Sequence, residues 1–442
     1  MKSINKITIF LLLLPMVLVQ GQNTNKLLVG DSLSFSQILN DVIHNYPSIK
    51  KAQNDIASSD AKIGMAKTAY LPDVNLTSSY SRIGPTSSFT LPINGVLQTI
   101  QLYPADNYSA AINVNQSIYD FGKTAKNVSF EQQNKELVET SVEQLKQRLS
   151  LMLVGNYYSI VFLQEAIHIK DEQLVTLNEH LHFVEKKEAS GSATKFEIIT
   201  TKVRISAIEN QKTDILTALQ IQLGQLNSFL GKPQETKLTV KKELLVPQIF
   251  APNDSLFAFA FAHRNEMKLA HQKNSLAETR LKMVNAQNNP ALNVFANGGL
   301  KNGYIPNLST LTPNFAVGVG LKVPLFDANR SKFARIQVKA DIQGNDQETE
   351  LARRNIVNEV VESKANAESS LKKVAQSELQ LEQAQQAYSL AETNFQAGVI
   401  TNLDLLDSFT AVAESKLVLL KTKIDYTVNL LKLKIALGEQ IY

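Results

Sequence analysis

The chain carries one long pattern twice. Residues 39–77 and 257–295 match when Ala52 is laid on Ala270, and Pro72 then falls opposite Pro290. The later halves also align, at one constant offset: Ile118-Tyr119-Asp120 lies opposite Leu325-Phe326-Asp327, Gly191 opposite Gly398, and Leu230-Gly231 opposite Leu437-Gly438. Self-similarity over so long a period has few accidental origins. The fold must therefore use one set of elements twice.

At 442 residues the chain is too long for one ordinary core, and the duplication supplies the two units that length implies. Lys2 and Lys6 precede an apolar run from Ile7 to Val19, with Val19 and Gly21 suiting a cleavage pocket before Gln22. Residues 1–21 thus read as a secretory signal peptide. The run is too short for a permanent spanning helix, and no later stretch reaches about 20 apolar residues. There is no cysteine, which removes disulfides, thiolate metal sites, thiol nucleophiles and lipid attachment through an amino-terminal cysteine. With 45 basic and 41 acidic residues intermixed and a net charge of +4, the electrostatic footprint of a nucleic-acid binder is missing.

Proline placement separates regular from irregular stretches. None occurs between Pro104 and Pro233 or after Pro324, so very long helices are possible there. Apolar residues fill them with a four-three alternation: Val138, Val142, Leu145, Leu149 and Met152, then Leu174, Leu177, Leu181 and Val184, and Leu381, Ala384, Tyr388, Ala391 and Phe395 in the second copy. A continuous helix from Lys123 to Ser190 extends ~100 Å, which no compact domain needs. It is expected to stop at Gly191 and restart at Thr194, whose hydroxyl caps the next helix while Glu197 completes a capping box. Gly398, Thr401 and Asp404 repeat this arrangement. Each copy therefore contains a long helical hairpin with a tight tip.

Between Tyr70 and Tyr119, prolines and small polar residues flank two segments of period two. Tyr108, Ala110, Ile112, Val114 and Ile118 share one side of the second segment, and Ser109, Asn113, Asn115 and Ser117 the other. In copy two, Phe315, Val317, Val319, Leu321 and Val323 alternate with Ala316, Gly318, Gly320 and Lys322. The partner strands are Val74 to Arg82 and Leu292 to Leu300. Strands of ~9 to 11 residues with one apolar and one small or polar face suit a membrane-spanning β-barrel. A soluble antiparallel sheet packed on helices shows the same alternation. Four strands cannot close a barrel with a lumen, and open edges are not tolerated in lipid, so the membrane reading requires several chains to share one barrel.

The paired strand entries Leu71-Pro72 and Asn289-Pro290 now combine with the strand exits Ile118-Tyr119-Asp120-Phe121-Gly122 and Val323-Pro324-Leu325-Phe326-Asp327. With them goes the segment FQAGVITNLDLLDSFTAVAESKLVLLKTKIDYTVNLLKLKIALG near the carboxyl end. Over essentially the whole mature chain, these residues resemble the TolC family of outer-membrane channel proteins. The resemblance implies a mainly α chain with a β-barrel part: long antiparallel coiled-coil hairpins plus four transmembrane strands per chain. A homotrimer then forms one 12-stranded barrel in outer-membrane lipid, continued into the periplasm by an α-helical tunnel. Two similar hairpins per subunit give a nearly sixfold wall about a threefold axis. The expected organisation is a first repeat at 22–232, with strands about 74–82 and 108–119 and a hairpin about 123–230. An equatorial linker follows at 233–254. The second repeat, 255–442, has strands about 292–300 and 314–326 and a hairpin about 328–437. The loop from Gly84 to Asp106, longer than that from Lys301 to Pro313, is expected to form more of the extracellular mouth.

The implied role is an exit duct of a tripartite efflux or type I secretion system, passive and without a cofactor. It receives substrate from an inner-membrane pump of the resistance-nodulation-division or ABC type through a periplasmic adaptor, the membrane fusion protein. By position, Asp404 and Asp407 match aspartates that ring the periplasmic entrance, and such a ring favours cations. Glu197 and Phe395 take two further entrance positions, although Phe395 lacks the hydroxyl that the family's prototype uses for bonding there. The tips Gly191, Ser192 and Thr194, with Gly398, Val399 and Thr401, are where an adaptor hairpin would dock. The residues offer no rival enzyme, with no nucleophile elbow, phosphate loop or zinc-protease helix. His180 and His182 face different sides of a helix, which disfavours a zinc pair, and no metal site is expected. The competing reading is a periplasmic coiled-coil scaffold without a pore.

Overall fold

The computed structural model describes residues 32–441 apart from 94 and 249, so the signal peptide read at residues 1–21 lies outside the described residues. In chain order the elements are α1 (Phe35–Asn45), α2 (Pro47–Thr68), β1 (Asp73–Arg82), β2 (Ser88–Ile93), β3 (Val96–Gln101), β4 (Asp106–Tyr119), α3 (Lys123–Ala189) and α4 (Lys195–Phe229). The second copy supplies α5 (Asn253–His263), α6 (Asn265–Ala286), β5 (Ala291–Lys301), β6 (Thr312–Lys322), α7 (Arg330–Gln396) and α8 (Asn402–Ala436). The copies agree in length element by element. Both α3 and α7 have 67 residues, both α4 and α8 have 35. The helices preceding the strands agree as well, at 11 and 22 residues in each copy.

Local chemistry sets the boundaries. Ser34 and Gln37 form a capping box that starts α1. Pro47 begins α2, where its missing N–H costs nothing. At both strand-to-helix junctions the backbone turns through two left-handed residues, Phe121 and Gly122 in copy one, Ala328 and Asn329 in copy two. An aspartate secures each turn. Asp120 accepts from the Gly122 and Thr124 amides at 3.0 and 2.7 Å. Asp327 accepts from the Ser331 amide at 3.0 Å, from the Ser331 hydroxyl, and from Asn288 at 2.7 Å.

Strands β1, β4, β5 and β6 form one antiparallel sheet in the order β1-β4-β5-β6. Its register sets Leu76 beside Ile112, Ile112 beside Gly298 and Gly298 beside Phe315, so one face runs apolar across all four strands. The other face carries Asn75, Asn113, Asn297 and Ala316 in one such row. There Asn113 donates to Asn75 and Thr77, and Ser79 meets Ser109 at 2.8 Å. Phe295, on the polar face, lies over Gly318, where any side chain would collide with its ring. The apolar face is bare. Phe315 is 84% and Leu76 73% exposed, so the sheet is not one packed on helices.

Three details depart from expectation. The last strand ends at Lys322, not near 326, because Pro324 has no N–H to extend the ladder. Ile118 does not continue the apolar alternation, since β4 bulges between Ser117 and Tyr119 and Tyr119 takes the place opposite Leu292. The segment within 84–106 forms its own ribbon of β2 and β3, with Pro92 opposite Leu97. A two-stranded ribbon leaves one side of each strand unpaired, where proline is tolerated.

The core lies in the helical part. Around the middle of α3, Leu153, Val154, Tyr157 and Ile160 pack with Phe35, Ile38 and Leu39 of α1 and with Leu226 of α4. The segment between the copies closes this collar. Leu33 pairs with Val240 in a parallel bridge, and the buried Tyr157 hydroxyl donates to the carbonyls of Leu33 and Lys241 at 3.2 and 2.7 Å. Farther along, the amides of Leu245 and Gln248 donate to Thr427 and Tyr426 of α8. On the second copy, Arg264 bonds Glu266, Glu359 and the Ala436 carbonyl, joining α6, α7 and α8. No helix among the described residues is long and apolar enough to cross a membrane.

Candidate functional site

The two hairpin tips lie side by side at the end of the molecule farthest from the sheet. At the first, Gly191 takes φ 77° and the Ser192 amide reaches the Lys187 carbonyl at 2.8 Å. At the second, Gly398 takes φ 73° and the Val399 amide reaches Asn394 at 2.8 Å. A left-handed residue followed by this longer bond closes a helix in the Schellman manner and turns the chain within a few residues. Thr194 with Glu197, and Thr401 with Asp404, form reciprocal capping boxes that start the returning helices. The side chains of Ser192, Thr194, Val399 and Thr401 are exposed, so both tips present small or polar atoms to the surroundings.

Just above the tips, the start of α8 enters the first hairpin. Asn402 is 5% exposed. Its carbonyl oxygen lies 2.6 Å from His180 Nε2, and its amide nitrogen lies 3.3 Å from the Thr201 hydroxyl. One turn on, Leu406 is buried with Leu177, Ile205 and Ile208. Asp407 meets Arg204 at 2.6 Å, and higher still Lys416 meets Glu172 at 3.0 Å. Phe395 is buried against the rings of His180 and Phe183, with Lys187 Nζ 4.9 Å from its centre. A cation over an aromatic face replaces the hydrogen bond that phenylalanine cannot make.

The four entrance residues expected from the sequence therefore have different surroundings. Glu197 and Asp404 cap helices. Asp404 is exposed, and hydrogen bonds from the Thr401 hydroxyl and backbone hold its carboxyl below the usual carboxylate range. Asp407 is ion-paired with Arg204, and Phe395 faces the first hairpin. Sequence reasoning missed Arg204, Asn402 and the bonding role of His180. Their partners are some two hundred residues away along the chain, and only the repeat register brings them together. Between the tips is a cavity of about 460 Å³ lined by Phe196, Thr200, Phe395, Ile400 and Leu403 among others. Among the described residues no group of three or more His, Asp or Glu side chains is placed to hold a metal ion.

Comparison with known proteins accords with this arrangement. The family model described as Outer membrane efflux protein matches residues 38–232 and 258–439, one block per repeat. The Outer membrane protein TolC of Vibrio cholerae is 22% identical over 423 residues, covering 92% of this chain and 90% of that protein. The Alkaline protease secretion protein AprF of Pseudomonas aeruginosa is 21% identical, covering 90% and 82%. Among solved structures, VceC of Vibrio cholerae superposes with a TM-score of 0.75 at 17% identity, covering 92% of this chain and 97% of that one. CusC superposes at 0.75 and 16%, covering 92% of each.

Proposed function

We propose, starting from the fact that the chain belongs to the outer membrane efflux protein family, that three copies build one conduit through the outer membrane and that its paired hairpin tips form the periplasmic entrance. The chain is an outer-membrane protein and the exit duct of an efflux or secretion system. One observation carries the trimer: a four-stranded sheet with a bare apolar face and two unpaired edges, β1 and β6. Lipid accepts the face but not the edges. Three such sheets joined edge to edge make 12 strands, an even antiparallel number that encloses a lumen lined by the asparagine and serine face.

The helices supply the rest of the path. At 1.5 Å per residue, α3 and α7 reach ~100 Å from the sheet, long enough to carry the lumen well into the periplasm. At the far end, Asp404 and Asp407 of three chains surround the entrance, where Asp407 is neutralised by Arg204 and Asp404 favours cations over anions. The exposed tips at Gly191, Ser192 and Thr194 and at Gly398, Val399 and Thr401 receive the helical hairpin of a periplasmic adaptor, which connects the duct to an inner-membrane pump. Transport energy comes from that pump, and the duct acts as a passive channel, not an enzyme. The relatives include AprF, named for alkaline protease secretion, and OpmQ, named for pyoverdine export. Selection between a protein and a small molecule accordingly lies with the pump.

Photo-cross-linking in cells from Ser192 and Val399, followed by identification of the captured protein, tests the entrance reading. Capture of an adaptor supports it and identifies the cognate pump through that adaptor. A trimer in the membrane fraction that captures no adaptor would move the docking surface elsewhere. A protein absent from that fraction would favour the pore-free scaffold.

A further inference from the structure

We infer that the exposed apolar face at the start of α4 docks against the second hairpin, α7 and α8, of a neighbouring copy of this chain. This seam between copies is apolar, whereas the matching seam inside each chain is held by polar pairs. The inference rests on the trimeric reading above. Its starting point is a mismatch in burial. Phe196, Ile199 and Val203 share one side of α4 and are 70%, 59% and 64% exposed, although an aqueous helix seldom presents three large apolar side chains in a row. Thr201, Ile205 and Ile208, on the opposite side of α4, are buried within the chain.

The duplication identifies what covers that face. Inside the chain the start of α8 sits between α3 and α4, with Leu406 2% exposed in the cluster of Leu177, Ile205 and Ile208. The offset that carries Gly191 onto Gly398 makes α4 the counterpart of α8, and the hairpin of α7 and α8 the counterpart of that of α3 and α4. A ring of alternating hairpins has only these two kinds of junction, one within a chain and one between chains. The junction between chains therefore sets the start of α4 into the second hairpin of a neighbour, with Ile199 in the position that Leu406 fills within the chain. The receiving floor is smaller. Ala384 stands where Leu177 does, Val412 where Ile205 does and the small Ser415 where Ile208 does, while Phe196 and Val203 replace Leu403 and Thr410 on the entering helix. Larger side chains entering over smaller ones conserve the packed volume.

The polar pairs do not repeat. His180 with Asn402, Arg204 with Asp407 and Glu172 with Lys416 join the hairpins inside a chain. At the corresponding positions between chains stand Ala387 with Lys195, Ala411 with Thr200, and Leu379 with Glu209. In each case the second hairpin contributes an apolar side chain, so none of the three bonds can be remade. The entrance ring then alternates three polar seams with three apolar ones.

The chain contains no cysteine, so introduced pairs report cleanly. The variant Ile199→Cys/Ala384→Cys is treated in isolated membranes with a short bis-methanethiosulfonate reagent and run without reductant. The expected result is loss of the monomer band to covalent trimer. The variant Leu177→Cys/Leu406→Cys, treated identically, should give only internally linked monomer. If Ile199→Cys/Ala384→Cys stays monomeric while the untreated protein sediments as a trimer, the seam is wrong and the channel reading survives. A covalent dimer from Ile199→Cys alone would also overturn the seam, because α4 would then face α4. Sedimentation of the untreated protein as a monomer would overturn the trimer itself, and the seam with it.

Discussion

At the scale of single residues, the junctions between sheet and helix show how one carboxylate can hold two rigid bodies at a fixed angle. Asp327 receives the Ser331 hydroxyl, the Asn288 amide and the Ser331 backbone N–H. These bonds, the Ser331 hydroxyl foremost, draw its pKa down from 3.8 to about 2. A carboxylate with a depressed folded value stabilises the fold fully above its unfolded value and loses that contribution as pH falls through the folded one. The β6–α7 junction is therefore expected to hold from neutral pH down to about 4 and to loosen between about 4 and 2. Hydrogen exchange at Ser331 to Phe333, followed across that range, reads the effect directly. Asp327→Asn should exchange faster throughout and lose the acid step. An acid step of the same size in Asp327→Asn would assign the titration to another group. Asp120 accepts the same kind of bonds in copy one, and its carboxyl is likewise held below the usual range. The pair of aspartates was visible in the sequence as a repeated strand exit. The two left-handed residues after each were not, since Phe121 and Ala328 are not residue types that announce a positive φ.

At the scale of elements, legibility followed the period of the apolar pattern. Helices α3, α4, α7 and α8 announced themselves because no proline interrupts them, and in α3 and α7 the apolar residues also keep a four-three spacing. Strands β4 and β6 announced themselves by alternation, because one face meets lipid and the other water. The β2–β3 ribbon had neither signal: Pro92 and Gly95 lie within it, and most of its side chains are exposed. The contacts between hairpins were illegible for a different reason, because a bond such as Arg204 to Asp407 depends on two distant helices sharing a height. Helix starts at the tips were readable to the residue. Thr194 and Thr401 each accept from the third residue of the helix they begin, while Glu197 and Asp404 bond back to the threonine backbone. Removing one cap costs about 1 kcal/mol of local stability. Thr194→Ala and Thr401→Ala should each raise hydrogen exchange in the first turn of α4 or α8 about fivefold, with the core around Tyr157 unaffected. An equal rise in the core would mean that tip and collar unfold as one unit.

At the scale of the whole molecule, the charge of the entrance is set by which carboxylates retain a cation. Arg204 lies 2.6 Å from Asp407, so that pair is close to neutral, while Asp404 is bonded only to uncharged groups of Thr401. The depressed pKa of Asp404 keeps it ionised at every physiological pH. In the proposed trimer, three copies present a ring whose unpaired charge comes from Asp404 and from Glu197, which likewise bonds the uncharged groups of its capping threonine, Thr194. A ring of fixed anions enriches cations in a narrow aqueous opening, and salt screens it over a Debye length of about 10 Å at 0.1 M and about 3 Å at 1 M. The purified trimer in a planar bilayer under a salt gradient is thus expected to prefer cations at 0.1 M and to lose much of that preference at 1 M. Asp404→Asn should move the reversal potential towards zero. Arg204→Ala should move it the other way, because it frees the Asp407 charge, and should raise conductance by cutting one of the pairs that hold the two hairpins of each chain together. The two substitutions separate charge from gating: Asp404→Asn changes selectivity at constant conductance, whereas Arg204→Ala changes both. If neither shifts the reversal potential, the narrowest part of the path lies away from the tips, and the lumen face of the sheet, with its asparagine rows, becomes the place to look for selection.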